Sequence, residues 1–179
     1  MKKIYICGDS FGVPDPDYKG LCWVEILQTK LSNIAEVVSL ASVCASNLLI
    51  GLQAREAIEK KADYIICLGT SCTRYEAKFT NNKGELLDRF INKDLLSYSI
   101  LSLNETTIFT HDQLLLLKEY HTKFFDLDVA IYENQCIIEN TLQNLVDSKI
   151  PFKFDRGGFE HPSYGNSKNI PYFEKYKEY

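Results

Sequence analysis

Ser10 is the residue in this chain best placed to do chemistry. It stands in Gly8-Asp9-Ser10-Phe11-Gly12, which fits the G-x-S-x-G pattern of a serine on a tight strand-to-helix turn. A serine hydroxyl is a weak nucleophile at neutral pH and needs a base within hydrogen-bond reach. The chain holds three histidines, at 111, 121 and 161. His111 falls in the first turn of an expected helix, where the positive dipole end disfavours its protonated form. His121 falls inside the same helix, which suits a surface or packing residue. His161 follows the last expected strand and precedes Pro162, in a loop that returns to the rim where Ser10 points. It is therefore the candidate base, with Glu160 and Asp155 the nearest acids able to orient it. Arg74, just past another strand end, is placed either to clamp a carboxylate or phosphate bidentately or to pair with Asp9 or Glu76 and hold its loop.

These residues need a frame. Lys3 to Cys7 is a β-branched and aromatic run, a buried strand that opens the chain. The spacing predicts helices over 23–31 and from Asn47 to about Lys61, the second capped by Ser46 or Asn47. Residues 35–41 read as a strand, and 63–69 form a continuous apolar run, as expected of a central parallel strand covered on both faces. Residues 151–155 complete the set. Thr70 and Ser71 leave the third strand at the same rim as Ser10, where open parallel sheets bind ligands. The stretch 71–109 breaks the rhythm and is expected to be an insertion, either a lid or a covering subdomain, with one or two short helices between Glu85 and Leu101. Thr110 and Gln113 form a capping box before a helix to Phe125. A second helix follows to about Ser148, with Ile131, Ile138, Leu142 and Leu145 on one face. Trp23 is expected to anchor the core.

Composition narrows the function classes. At 179 residues the chain is expected to be one domain, 1–179, with 45 % apolar and 25 % charged residues. A net charge of -4 gives no basic footprint for nucleic acid, and no apolar run approaches a membrane span. The start shows no signal-like segment, so a cytoplasmic location is expected. Six cysteines lie at irregular spacing without C-x-x-C, which gives no metal pattern, and Cys7 and Cys67 fall inside strands as buried apolar residues. Asp15 and Asp17 lack a third carboxylate at loop-ligand spacing and read as a solvated turn.

Gly8-Asp9-Ser10 on a first strand resembles the SGNH (GDSL-like) hydrolase family, whose first sequence block carries the nucleophilic serine. The α/β-hydrolase fold fits less well, because its elbow follows several earlier strands. Ser46-Asn47 is similar to the second-block region, Gly69-Thr70-Ser71 sits where the third block has Gly-x-Asn, and His161 sits where the fifth block has its histidine. The run from Leu68 to Arg74 looks like that of short SGNH-like proteins of phage and bacterial genomes. The resemblance implies a three-layer α/β/α domain with a short, mostly parallel, flavodoxin-like sheet. It also implies an esterase or acyl-hydrolase with Ser10 as nucleophile and His161 as base. Amides near Ser10 and Cys44, with Asn47 or Ser71, would hold the oxyanion, and Asp9, Thr70 and Arg74 would line the substrate side. No metal or organic cofactor is implied, and the partner is a small-molecule substrate. Three departures stand out. Cys44 or Ala45 replaces the second-block glycine, Ser71 replaces the third-block asparagine, and Gly158 stands where an Asp-x-x-His would put its acid. They leave a second reading, a binding protein that kept the cleft without the chemistry. A flavodoxin-like FMN carrier is disfavoured by the lack of a serine- and threonine-rich phosphate loop after the first strand.

Overall fold

The structure is a computed structural model that describes residues 1–14, 17, 19–77, 96–99 and 110–156, with backbone alone at 77 and 96–99. In chain order the elements are β1 (Lys2–Cys7), a 3-10 turn (Ser10–Gly12), α1 (Trp23–Leu31), β2 (Ala35–Ser39), α2 (Asn47–Glu59), β3 (Tyr64–Leu68), β4 (Arg74–Ala77), β5 (Leu96–Ser99), α3 (His111–Phe124), α4 (Leu127–Ser148) and β6 (Phe152–Asp155). Four strands form an all-parallel sheet in the order β2-β1-β3-β6, and β4 and β5 form a separate antiparallel pair. The in-register pairs Cys7↔Cys67 and Leu68↔Asp155 bring the carboxyl ends of β1, β3 and β6 to one rim.

Successive strand residues point to opposite faces, and both faces are buried. Tyr5, Cys7, Ile65, Cys67 and Phe152 pack with Ile50, Ala54 and Ala57 of α2 and Leu142 and Leu145 of α4. On the other face Ile4, Ile6, Val37 and Ile66 meet Val24, Leu27 and Leu31 of α1. Burying Ile6, Ile50, Ile65 and Leu145 completely stabilises the fold by roughly 1.5–3 kcal/mol each before chain entropy is counted. The helices α2 and α4 approach closely at Gly51, where a Cβ would lie 2.6 Å from the Thr141 hydroxyl. Local signals set the helix ends. Ser46 caps α2 through its hydroxyl, Thr110 and Gln113 form the expected capping box, and Asp126 caps α4.

Three expectations change. Residues 96–99, in a stretch read as mixed with one or two short helices, form β5, and the alternation Leu96-Ser97-Tyr98-Ser99 is a strand period. The second strand ends at Ser39, although Leu40 N still donates to Ile6 O at 2.8 Å. Trp23 is 37 % exposed, and its indole N–H donates to the Phe11 carbonyl at 2.6 Å. It braces the Ser10 turn instead of filling the core. Most of the expected lid, 71–109, lies outside the described residues, as does Asp15.

Candidate active site

The strand β1 stops because Gly8 turns out of the sheet where a side chain has little room: a Cβ there would lie 3.3 Å from Leu68 Cβ. Gly8 N donates to Gln53 Oε1 of α2 at 2.7 Å, and Gly8 O accepts from Ser42 N at 3.2 Å. Asp9 then caps the 3-10 turn, its Oδ1 accepting from Phe11 N at 3.0 Å while its carbonyl accepts from Gly12 N at 2.9 Å. Gly12 is required, since a Cβ there would lie 2.6 Å from Ala41 Cβ. Trp23 holds the Phe11 carbonyl, and the Ser39 hydroxyl holds the Gly12 carbonyl at 2.7 Å. The main chain on both sides of Ser10 is thus tied down. Ser10 itself is exposed, and no described residue bonds its hydroxyl.

Asp9 is 1 % exposed. A buried carboxylate needs both charge compensation and hydrogen bonds. Asp9 Oδ2 receives both, from Thr70 Oγ1 at 2.9 Å and Arg74 Nη1 at 2.5 Å. Of the roles open to Arg74, the structure therefore places it on Asp9. Asp9 and Thr70, expected to line the substrate side, are buried beneath the turn.

The loop after β2 lies beside this turn, joined by the Ser42–Gly8 bond and by Gln53 Nε2 donating to Ser42 Oγ at 3.3 Å. Within it Cys44 adopts φ 60°, the left-handed region that favours glycine. Asn47, expected as an oxyanion donor, is 3 % exposed and fully engaged. Its Nδ2 donates to Thr70 O and to Asn134 Oδ1, both at 2.8 Å, and its Oδ1 accepts from Thr70 N at 2.9 Å. Both amide protons are used, so in this arrangement Asn47 ties α2 to the loop after β3. The Ser71 hydroxyl shares a 2.8 Å hydrogen bond with the Thr73 hydroxyl and accepts from Thr73 N at 3.2 Å, closing a local turn.

No family model matches the chain, and no curated protein matches it. The site therefore rests on its own geometry. Ser10, Asp9, Thr70 and Arg74 form one connected group, with Cys44 on the adjoining loop. Asp155 ends β6 at the same rim, with β3 between it and β1, and its carbonyl accepts from Gly69 N at 2.7 Å. Glu160 and His161 lie outside the described residues.

Two contributors, Gln53 and Asn134, escaped the sequence reading, and Glu76 entered it only as a candidate partner of Arg74, not of Ser46. Gln53 carried a signal, a polar side chain on the buried stripe of α2. Glu76 carried another, two residues after Arg74 and so on the same face of β4. Asn134 carried none. The other histidines behave as packing groups or helix-start residues. His121 is buried against Tyr75, Tyr120 and Phe125, and burial lowers its pKa. Burial first, then the nearby Glu133 carboxylate, pushes the Tyr75 hydroxyl up to about 12. Burial raises the Cys7 and Cys67 thiols, so neither is poised as a thiolate. Among the described residues no helix is long and apolar enough to cross a membrane, and no group of three or more metal-ligating side chains gathers.

Proposed function

We propose that the protein is a serine-dependent esterase or acyl-hydrolase acting on a small ester, built on an SGNH-like three-layer α/β/α frame with flavodoxin-like strand order. One observation carries this reading. Ser10 is exposed on a braced turn at the carboxyl end of β1, an interior strand of a parallel sheet, where such sheets bind ligands. The left-handed Cys44 backbone supports it further, because Cys44 is one of the two positions, with Ala45, that fall near the family's glycine, and it adopts a glycine-like conformation.

In the proposed reaction the Ser10 hydroxyl attacks the ester carbonyl while His161 takes its proton. The tetrahedral oxyanion is held by main-chain amides of the Ser10 turn and the Cys44 loop. Collapse expels the alcohol, which receives the proton from His161, and leaves Ser10 acylated. Water then gives a proton to His161 and attacks the acyl carbon. The acid departs and Ser10 recovers its proton. Asp155 or Glu160 would orient the imidazole. The chemistry needs no metal or organic cofactor.

A second reading, a small-ligand receptor with the same cleft, draws on Asn47 and Ser71, whose polar groups are engaged internally. Fluorophosphonate labelling separates the two, because only a base-assisted serine beside an oxyanion hole reacts at a useful rate. The expected result is labelling of the wild type, loss of labelling in Ser10→Ala, and a rate that rises through a pKa near ~6.5 as the histidine becomes neutral. An unlabelled wild type that hydrolyses no short acyl ester would overturn the enzyme reading and leave the receptor.

A further inference from the structure

Residues β4 places on one face fasten two loops at once. Arg74 and Glu76 are two apart on a strand, so their side chains leave the same side, while Tyr75 leaves the other and packs against His121 and Phe125 at ring-centroid distances of 5.5 and 6.4 Å. Arg74 Nη1 meets Asp9 Oδ2 with the two side chains only 14 % and 2 % exposed. Glu76 accepts from Ser46 N at 2.8 Å through Oε1 and from the Ser46 hydroxyl through Oε2, at the N-terminus of α2, where a carboxylate is favoured by the dipole. Asp9 directly precedes Ser10, and Ser46 closes the loop that carries Cys44.

We infer that β4 is a positioning strap: Arg74 holds the Ser10 turn through Asp9, and Glu76 holds the Cys44 loop through Ser46, fixing the two loops relative to each other. The physical chain is short. Arg74 pairs with one oxygen of the buried Asp9 carboxylate, and the other oxygen stays on Phe11 N. Without the guanidinium, that buried charge keeps only the Thr70 hydroxyl and the Phe11 amide, so the carboxylate tends to swing toward water and release the turn. Lysine supplies the charge but not the planar fork. Arg74 and Glu76 are positioning residues, since each acts through another side chain. The kinetic consequence rests on the hydrolase reading; the structural one does not.

The test uses the full chain and the variants Arg74→Ala, Arg74→Lys and Glu76→Gln. Amide hydrogen exchange at Phe11 reads the strap whether or not the protein is an enzyme, with Ile65 N, which donates to Pro151 O in the sheet, as the folding control. The expected result is loss of Phe11 protection in Arg74→Ala with Ile65 unchanged, and its recovery when guanidinium chloride is added well below denaturing levels. Arg74→Lys, which keeps the charge, is the variant to read should alanine fail to fold, and should lose part of the protection. In the kinetic arm Arg74→Ala should slow fluorophosphonate labelling and kcat by roughly ten- to a hundredfold with KM unchanged, again recovering with guanidinium. Glu76→Gln should slow labelling in the same direction without exposing Phe11. Phe11 protection unchanged in Arg74→Ala and Arg74→Lys would overturn the strap, as would loss of labelling that guanidinium does not restore in a folded variant. A wild type that never labels removes the hydrolase reading instead, and the exchange arm still decides the strap.

Discussion

Asn47 is where family likeness and geometry diverge most sharply, and Asn47→Ala measures which is right. The side chain makes three hydrogen bonds, two to the Thr70 backbone and one to Asn134, with Asn47 and Thr70 only 3 % and 5 % exposed. Truncation leaves a buried N–H, a buried carbonyl and the Asn134 oxygen without their partner. At about 1 kcal/mol for each, the loss is about 3 kcal/mol, a substantial part of the ~5–15 kcal/mol that holds a domain together. With a urea slope of about 2 kcal/mol per molar, the unfolding midpoint should fall by about 1.5 M. Asn47→Asp keeps the acceptor and loses both donors, so it should fall at least two-thirds as far. The assay is urea unfolding followed by far-ultraviolet circular dichroism, run beside fluorophosphonate labelling below the transition. The tie predicts a large midpoint shift and labelling that falls only as the loop loosens. A shift under about 0.3 M together with labelling slowed by more than about a hundredfold would refute it, because that is how a lost oxyanion donor behaves.

Two further outcomes follow from the backbone and from burial. Cys44→Gly should relieve the left-handed strain at φ 60° and raise the melting temperature by about 1–4 °C while leaving Ser10 labelling unchanged, since the amide remains; a lower melting temperature by calorimetry would count against this. His121, whose pKa burial holds below 6.5, is neutral in the fold, so the unfolded chain binds the extra proton as pH falls past 6.5 and stability drops with it. His121→Phe should therefore narrow the gap between urea midpoints at about pH 7.5 and about pH 5.5, and an unchanged gap would refute the assignment.

The frame was legible in the sequence because its signals are local and repetitive. A β-branched and aromatic run marked β1, a continuous apolar run marked β3, and serine and threonine caps marked α2 and α3. The strand β5 was missed because four residues of alternating leucine, serine and tyrosine are too short to stand out in a stretch of mixed pattern. Trp23 was misplaced for a different reason. Its large apolar area argues for the core, but its N–H found a carbonyl in the neighbouring turn, and that bond placed it at the surface.

The site was legible only where a single turn determines it. The Gly-Asp-Ser pattern located an exposed hydroxyl at a strand end, because glycine, cap and turn lie within five residues. The pairings that brace it span much longer stretches of chain: Asp9 with Arg74, Gly8 with Gln53, Ser46 with Glu76 and Asn47 with Asn134. Residue types constrain such pairings weakly, since an arginine past a strand end suits a ligand as well as an aspartate. What selects among them is burial. Asp9 is pulled beneath the turn, a buried carboxylate demands a cation, and Arg74 is the one the sheet delivers to that place. The same logic bears on function. The polar contacts that hold Asp9 and the main chain of the turn leave the Ser10 hydroxyl exposed, which is the arrangement the proposed nucleophile needs. On the proposed hydrolase reading, the bracing would hold the nucleophile still while the bond forms.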